Sequence, residues 1–434
     1  MAIARSLRRR TWIVTAAIAL LLTGCGSSSS SSPSQADSGG AATLQFSQWW
    51  GGELPKGDLA ALVTQFEKQN PKIKIQLVTN PYQNTHDSTI AQAATHNMSD
   101  IVAMDGTWYS DLQNQGALAN ISDLMKSAKY DDSSLTGELK TSGSVYMIPA
   151  VNFVYPMFVN TDLLRKAGIT SIPKTQSEFK AAADAVSRKT SAKGFTLAMS
   201  PQTPNGVAND VMAWVWASGG SILASGKPKA DGPGVQAGLE YIKTLYQAKD
   251  VLAGSLNMQE TQKPNAFAQG QVAMMFDSLA HVTSIKQNNP ALHFDLAPVP
   301  AKDGYSGERG INAASWAVGI SKDSKHQAQA WKFVQFLMSP TVNAQLATEA
   351  NGFPANKAAK PDLSKSDPLI RKAFQIYQTS KPLNEFANGL PVSVQLEGDF
   401  DAELQKYFTG AQDVQKTLSN TQAAWDRHIK AATK

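Results

Sequence analysis

The alternation of strand-like and helix-like segments that begins at residue 43 restricts most strongly what this chain can fold into. Residues 43–49 are predicted to form a strand, and Asp58 is predicted as the N-cap of a helix whose apolar residues recur at helical spacing up to residue 66. Residues 73–77 alternate between apolar and polar side chains, and residues 101–104 form a short apolar strand. This β-α-β-α-β order is typical of a parallel sheet covered by helices, so we expect an α/β fold.

A second block with the same kind of alternation starts after Pro149. Residues 152–160 are predicted to form a strand, Thr161 caps a short helix, and Ser177 caps the next helix. A strongly apolar helix is predicted over residues 327–338. The length of the chain also favours two domains over one. The sequence therefore predicts two α/β lobes.

The first 24 residues are typical of an export signal rather than of a folded segment. Four arginines precede an apolar run at residues 12–22, which is shorter than the roughly 20 residues needed to span a bilayer. The motif LTGC at residues 22–25 then resembles the lipobox of bacterial lipoproteins. We predict a signal peptide at residues 1–24, lipidation of Cys25, and a serine-rich flexible tether over residues 25–42. An ordinary signal peptide with an incidental cysteine is the alternative.

Cysteine count and charge narrow the range of folds and partners. Cys25 is the only cysteine, so no intramolecular disulfide is possible and the fold must depend on its hydrophobic core. The net charge of +5 is misleading, because four of the 40 Lys and Arg lie in the predicted signal, which leaves 36 against 35 Asp and Glu. Basic and aromatic residues do not cluster, so we expect no binding of nucleic acid.

Sequence motifs of common enzyme classes are missing from the chain. It contains no G-x-S-x-G, H-E-x-x-H or Walker A motif, and no G-x-G-x-x-G follows the first predicted strand. The six histidines are scattered without metal-ligand spacing. We therefore expect a protein that is not an enzyme and uses no metal or other cofactor. Its many carboxylates leave a surface-anchored glycosidase as an alternative.

Aromatic and polar residues occur where predicted strands end, which indicates a ligand site, because ligands of open α/β sheets bind at the carboxyl ends of the strands. An indole face matches the C–H face of a sugar ring, and carboxylates and amides hydrogen-bond to its hydroxyl groups. The pattern favours a neutral polyol as ligand. The residues concerned are Trp49, Trp50, Asp105, Trp108, Trp214, Trp216, Gly219, Asp277 and Trp316.

Several short motifs in a fixed order resemble the extracellular solute-binding proteins of bacterial ABC sugar importers, the family related to maltose-binding protein. Each motif is weak alone, but together they cover essentially the whole chain after the predicted signal. The motifs are VYMIPA at 145–150, VNTDLL at 159–164, AGI at 167–169, PKT at 173–175, WASGG at 216–220, AFAQGQVAM at 266–274, AWKFVQFL at 330–337 and NGFP at 351–354.

The resemblance implies a two-lobed periplasmic-binding-protein-like fold, in which each lobe is a mainly parallel sheet flanked by helices and a hinge crosses between the lobes several times. By analogy the chain crosses near Ala150, Asp277 and Ser339, so that residues 43–150 and 278–339 form lobe 1 and residues 151–277 and 340–434 form lobe 2. The expected ligand residues between the lobes are Trp49 or Trp50, Asp105, Trp108, Asn152, Tyr155, Trp214, Trp216, Gly219, Asp277, Trp316 and Phe353.

The function implied is the capture of a sugar, expected to be an oligosaccharide, and its delivery to the permease subunits of an ABC transporter. The protein would act as a monomer at the extracytoplasmic face of the cell membrane, held there by the lipid on Cys25. A glycerol phosphate or a glycerophosphodiester is the alternative ligand for the same fold. A phosphate would require Arg, Lys or a helix N-terminus in the cleft, and no arginine stands among the expected ligand residues.

Overall fold

The computed structural model of the protein describes residues 40–364, 367–387 and 390–432. The predicted signal peptide, the lipidation site Cys25 and most of the predicted tether lie outside these residues. Within the described ranges, no helix is both long enough and apolar enough to cross a membrane.

Strands and helices alternate along most of the described chain. The strands are β1 Ala42–Gln48, β2 Ile73–Thr79, β3 Ile101–Asp105, β4 Leu139–Thr141, β5 Ser144–Val154, β6 Met157–Asn160, β7 Lys193–Phe195, β8 Leu223–Ala224, β9 Lys227–Pro228, β10 Val272–Phe276, β11 Phe294–Ala297, β12 Gly310–Ile320, β13 Phe353–Pro354 and β14 Lys381–Leu383. The helices are α1 Trp50–Glu53, α2 Asp58–Gln69, α3 Tyr82–Ala94, α4 Tyr109–Asn114, α5 Ile121–Ala128, α6 Thr161–Lys166, α7 Gln176–Lys189, α8 Ala213–Ala217, α9 Pro233–Gln247, α10 Lys263–Ala268, α11 Val282–Asn288, α12 Gln327–Leu337, α13 Pro340–Glu349, α14 Pro368–Gln378, α15 Ser393–Thr409 and α16 Val414–Ala432. Short 3₁₀ turns cover Gly106–Trp108, Ser255–Asn257, Glu260–Gln262 and Leu279–His281, and Val207–Met212 forms a π-helix that leads into α8.

The larger sheet has eight strands, ordered β13-β5-β12-β3-β1-β2, with β14 beside β12 and β4 beside β5. β1 pairs in parallel with β2 and with β3, which is the predicted β-α-β-α-β unit. β12 runs antiparallel to both β3 and β5. The sheet is therefore mixed, and the expectation of a mainly parallel sheet needs correction. The reason is that two strands of 11 residues each, β5 and β12, pair antiparallel in its interior.

The smaller sheet has four strands in the order β11-β6-β10-β7. β10 is parallel to β7 but antiparallel to β6, and β11 is also antiparallel to β6, so this sheet is mixed as well. Its side chains alternate between two cores: Phe158 and Met275 join the core of the larger sheet, whereas Met157 and Met274 belong to a second core. The second core also buries α7, α9, α15 and α16.

The first and second predicted crossings between the lobes differ from the structure. β5 stays in the larger sheet as far as Val154, so the chain passes to the smaller sheet between Val154 and Met157 rather than near Ala150. β11 follows Asp277 and was expected in lobe 1, but it pairs with β6 of the smaller sheet. The chain therefore returns to the larger sheet only between β11 and β12.

The third crossing is also later than predicted. α13 and α14 follow Ser339 and were expected in lobe 2, but they bury Leu346 and Ile370 in the core of the larger sheet. β14 still pairs with β12, and the chain joins the second core only after β14, beginning with Phe386. Motif order alone did not reveal this, because the apolar face of a helix fits either core.

Candidate functional site

A cavity that is open to solvent lies beside the carboxyl ends of three strands of the larger sheet. Trp49 directly follows β1, Tyr82 begins α3 shortly after β2, and Asp105 is the last residue of β3. Because β1 is parallel to β2 and β3, these ends meet at one edge, which is where α/β sheets bind ligands. We call this space the cleft cavity, and it is lined by Trp49, Glu53, Tyr82, Asp105, Phe153, Tyr155, Glu260, Thr261, Ser278, His281, Ala314, Ser315 and Trp316.

Both lobes contribute to the cleft cavity. Tyr155 lies in the connection between β5 and β6, and Glu260 belongs to the 3₁₀ turn before α10. Ser278 and His281 follow β10 of the smaller sheet. A molecule bound here would contact both lobes, as expected for a two-domain receptor.

Aromatic rings form a continuous cluster along the first-lobe side of the cavity. The ring centroids of Trp49 lie 5.2 Å from both Tyr82 and Trp108, and Tyr82 stacks on Trp108 at 5.5 Å with an interplanar angle of 28°. Trp316 packs against Phe153 at 5.0 Å. These rings bury one another, so their orientation is held by packing rather than by a ligand.

Carboxylates held by hydrogen bonds lie among the aromatic rings. Asp105 Oδ1 accepts bonds from the backbone N–H and the hydroxyl of Thr107, at 3.0 and 2.9 Å. Glu260 Oε1 accepts from the Tyr155 hydroxyl at 3.2 Å and from the Asn209 amide at 3.3 Å, and its Oε2 accepts from Asn205. These contacts fix the carboxylates in place, and such fixed acceptors are suited to hydroxyl groups.

Burial and mutual charge shift the pKa values of several groups in the cavity, among them Glu53 and His281. Burial raises the pKa of Glu53 to about 7; the charge on His281 opposes this rise, and those on Glu260 and Asp277 add to it. Burial disfavours protonation of His281, but the Asp277 carboxylate, 3.0 Å from Nδ1, together with Glu53 and Glu260 outweighs it and raises the pKa to about 9. At neutral pH the cavity therefore offers a charged donor at His281 and a mixture of acid and carboxylate at Glu53.

Four of the expected ligand residues line the cleft cavity: Trp49, Asp105, Tyr155 and Trp316. Asn152 lines an adjoining space that shares Asp105 and Phe153 with it, and the Ser315 hydroxyl donates to Asn152 Oδ1 at 2.7 Å. Trp108 lies on the far side of Tyr82, where it lines a separate cavity.

The other expected ligand residues lie outside the lining of the cleft cavity. Trp50 is fully buried and stacks on Trp316 at 5.2 Å, so of the two adjacent tryptophans only Trp49 reaches the cavity. Asp277 is buried behind His281. Phe353 packs on Tyr377 at 4.7 Å.

Three residues expected from the second lobe also lie elsewhere. Trp214 is buried in the second core, with ring centroids 4.8 Å from Phe179 and Phe276, and it borders a groove that also holds Gly219. Trp216 is 1 % exposed and donates its indole N–H to Glu385 at 2.8 Å. The Trp214 and Trp216 side chains pack into the core because they lie on α8, which is buried on all sides.

Several cavity residues were not expected from the sequence. Tyr82 could have been predicted from the sequence, because it follows the second strand in the way that Trp49 follows the first. Glu53 could have been predicted as well, because it lies three residues after Trp50, close to the end of the first strand. Glu260 and His281 could not be predicted in this way, because they lie in 3₁₀ turns and neither directly follows a predicted strand. Among the described residues, no three His, Cys, Asp or Glu side chains are grouped so that they could hold a metal ion.

Comparison with known proteins gives matches over most of the chain. A family model of bacterial extracellular solute-binding proteins matches residues 52–344. A maltooligosaccharide ABC transporter solute-binding lipoprotein of Streptococcus pneumoniae is 25 % identical over 382 residues, which cover 85 % of this chain and 86 % of that protein.

Solved structures of the same two-lobed class share the fold. The structure of UgpB from Mycobacterium tuberculosis in complex with glycerophosphocholine has a TM-score of 0.78 at 18 % identity, covering 91 % of this chain and 100 % of that one. The substrate-binding protein Lmo0181 from Listeria monocytogenes in complex with cycloalternan has a TM-score of 0.75 at 20 % identity, covering 90 % and 99 %. At these identities the likeness concerns the fold alone.

Proposed function

The chain belongs to the family of bacterial extracellular solute-binding proteins, and from this premise we propose that it captures an oligosaccharide between its lobes and delivers it to an ABC transporter. The observation that carries the proposal is the lining of the cleft cavity, where Trp49, Tyr155 and Trp316 accompany the fixed carboxylates of Asp105 and Glu260. Aromatic faces match the apolar faces of sugar rings, and fixed carboxylates accept hydrogen bonds from sugar hydroxyls. The pneumococcal relative is described as binding maltooligosaccharides, which supports the same ligand class.

The negative charge of the cleft cavity makes a glycerophosphodiester a less favoured ligand than an oligosaccharide. A glycerophosphodiester is favoured by the UgpB complex, and aromatic rings beside carboxylates could also accept its quaternary ammonium group. Its phosphate, however, would need a cationic partner. Among the described residues that line the cleft cavity, only His281 supplies a positive charge, whereas Glu53, Asp105 and Glu260 are acidic.

Ligand-induced stabilisation tests the proposal. We would measure the thermal unfolding of the protein with mono- to tetrasaccharides of different linkage and with glycerophosphocholine. A sugar at 100 times its Kd should raise the free energy of unfolding by about 2.7 kcal/mol. Asp105→Asn should weaken the response, while Asp323→Asn, at an exposed site, should leave it unchanged. A response to glycerophosphocholine and to no sugar would reverse the ranking.

We further propose that the receptor is anchored through Cys25 at the extracytoplasmic face of the membrane and has no enzymatic activity. The lipobox-like motif at residues 22–25 and the lipoprotein description of the pneumococcal relative support the anchor. Cys25→Ser should move the protein from the membrane fraction to the soluble fraction. Incubation with a bound oligosaccharide should return it intact by mass spectrometry, and a shortened product would instead establish a glycosidase.

A further inference from the structure

Glu260, which lines the cleft cavity, is held by a closed ring of hydrogen bonds inside the protein. The side-chain N–H of Asn209 donates to Glu260 Oε1 at 3.3 Å, and the side-chain N–H of Asn312 donates to Asn209 Oδ1 at 2.7 Å. The Asn312 carbonyl accepts the backbone N–H of Tyr155 at 3.0 Å, and the Tyr155 hydroxyl donates to Glu260 at 3.2 Å. The ring joins the 3₁₀ turn before α10, the π-helix, β12 and the connection between β5 and β6. Asn209 and Asn312 lie outside the lining of the cleft cavity.

The direction of the two amide bonds follows from the chemistry of Glu260. An ionised carboxylate has no hydrogen to donate, so Asn209 must present its N–H to it. The oxygen of Asn209 then faces Asn312, which must donate as well. Both amides therefore point their N–H groups toward the carboxylate in series. Each amide polarises the next, and together they stabilise the negative charge.

Asn312 is an unfavourable residue for the position that it occupies. It is fully buried, and its Oδ1 has no hydrogen-bond partner in the part of the chain that the structure describes. An apolar side chain of the same shape would avoid the desolvation of that oxygen. A local violation of this kind is expected where function requires it, and here the amide supplies the donor to Asn209.

The π-helix that contains Asn209 is anchored on two sides. Gly206, directly before it, lies so close to Ala198 that a Cβ atom would be 1.9 Å from the Ala198 oxygen. Asp210 accepts the backbone N–H of Ala198 and pairs with Lys263, the first residue of α10. These contacts hold the neighbouring Asn209 amide in place, and π-helical turns are frequent at functional sites.

The charge on Glu260 needs this support because its surroundings are largely acidic. Burial raises its pKa, and the positive charges of Lys263 and His281 oppose the rise. The charges of Asp277 and Asp105 raise the pKa further. The other titratable groups that face Glu260 are Glu53 on α1, Tyr82 on α3, Tyr155 before β6 and Glu397 on α15. The two amides add donors to the carboxylate without adding charge.

We propose that Asn209 and Asn312 are positioning residues for ligand binding: acting through Glu260, they keep its carboxylate ionised and directed into the cleft cavity. The inference rests on the proposed function, in which this carboxylate accepts hydrogen bonds from a sugar. A charged acceptor forms stronger hydrogen bonds with hydroxyl groups than a neutral one does. Loss of either amide therefore weakens sugar binding, although neither side chain lines the cleft cavity.

Carbon-13 NMR titration of protein labelled at glutamate carboxyl groups tests the effect on Glu260 without a sugar, and Glu260→Gln identifies the signal. Asn209→Leu removes the donor to Glu260, and Asn312→Leu removes the donor to Asn209. Each should raise the pKa of Glu260, lowering its acid dissociation constant roughly 3- to 10-fold, with the larger effect in Asn209→Leu. The matched control is Asn160→Leu, at another buried asparagine, whose side chain caps α6. It should leave the pKa of Glu260 unchanged.

Calorimetric titration with maltotriose from pH 5 to 8 tests the effect on binding. If maltotriose does not bind, the sugar with the largest thermal shift takes its place. Asn209→Leu and Asn312→Leu should bind the sugar roughly 3- to 10-fold more weakly than the wild-type protein at the low end of this range. The difference should shrink toward the high end, where Glu260 is ionised in all proteins. A purely structural role would instead weaken binding equally at every pH.

The possible results separate this proposal from the proposed function. Failure of the wild-type protein to bind any sugar would overturn the proposed function, and the NMR titration would still decide whether the two asparagines hold the charge of Glu260. An unchanged pKa of Glu260 in both variants would overturn the proposal. So would a loss of affinity that does not depend on pH.

Discussion

At the scale of single residues, Lys263 and Asp210 form an ion pair in which both side chains are fully buried. Lys263 Nζ lies 2.9 and 3.1 Å from the two carboxylate oxygens, and Asp210 Oδ2 also accepts a bond from the backbone N–H of Ala198. Lys263→Met should lower the free energy of unfolding by about 3–5 kcal/mol, because the Asp210 carboxylate is left buried without its countercharge. Urea denaturation followed by circular dichroism measures the change.

The double variant Lys263→Met with Asp210→Leu provides the control for this pair. It removes both charges and should recover part of the loss, since an apolar pair of similar size avoids the desolvation of an unpaired charge. Recovery should be incomplete, because the N–H of Ala198 loses its acceptor. If the double variant were less stable than Lys263→Met alone, the explanation by an uncompensated charge would be wrong.

Single residues also show where sequence reasoning about the site reaches its limit. Trp49 and Trp50 are adjacent in the sequence and both follow β1, but only Trp49 lines the cleft cavity. The choice depends on Trp316, a strand residue far along the chain whose indole covers Trp50. A pattern of nearby residues contains no information about that contact. The position of both tryptophans at the end of a strand could therefore be predicted, but not which of them is exposed to the cavity.

At the scale of elements, β14 and the residue Glu385 just beyond it connect the larger sheet to the second core. β14 pairs with β12, and Glu385, just beyond it, accepts bonds from the Trp216 indole and the Ile222 N–H, both at 2.8 Å, and from the Ser221 hydroxyl. Glu385→Gln should reduce the free energy of unfolding by about 1.5–3 kcal/mol, since bonds to a charged acceptor are lost or weakened.

Chemical denaturation together with hydrogen exchange of the Ile222 amide measures this effect. The matched control is Glu308→Gln, which makes the same chemical change at an exposed glutamate. Faster exchange at Ile222 should accompany the loss of stability in Glu385→Gln and be absent from Glu308→Gln. Equal stability of the two variants would mean that Glu385 contributes nothing to this connection.

Element starts were predicted to within a few residues, but the capping residues were not. Ser177 was expected to cap α7, whereas Thr175 does so, in a capping box with Glu178. α2 likewise begins at Asp58, with Gly57 as N-cap at a φ of 99°. Polar residues are adjacent from Lys174 to Ser177, and tertiary packing decides which of them is the N-cap of α7.

At the scale of the whole molecule, the two-lobed architecture followed from the order of family motifs, whereas periodicity alone indicated only α/β structure. The positions of the crossings depended on long-range pairings. β11 joins β6, and β14 joins β12, through contacts between segments more than 60 residues apart. Such pairings are set by the completed sheets, so local patterns do not specify them.

Buried acids and a buried histidine should make the whole molecule less stable as the pH rises from 5 to 9. The folded protein keeps a proton on Glu53 and on Asp401 up to about pH 7, mainly because of burial, and on His281 up to about pH 9. The unfolded chain releases these protons near the ordinary values of 3.8 for Asp, 4.5 for Glu and 6.5 for His. Between the unfolded-state and the folded-state pKa of each group, the native state binds more protons than the unfolded state. An increase in pH through that range therefore favours unfolding.

The two parts of this pH range can be separated by substitution. Urea denaturation at each pH unit should show the free energy of unfolding falling, with His281 contributing on the order of 2–3 kcal/mol between pH 6.5 and 9. Glu53→Gln should flatten the curve below about pH 7 and also reduce the fall in the upper part slightly, because the Glu53 charge helps to raise the pKa of His281, whereas His281→Asn should flatten the upper part. The Asp277 carboxylate makes the second change costly at low pH, because it loses its charged partner there. A stability that stays constant or rises from pH 5 to 9 in the wild-type protein would show that these groups titrate in the folded state as they do in water.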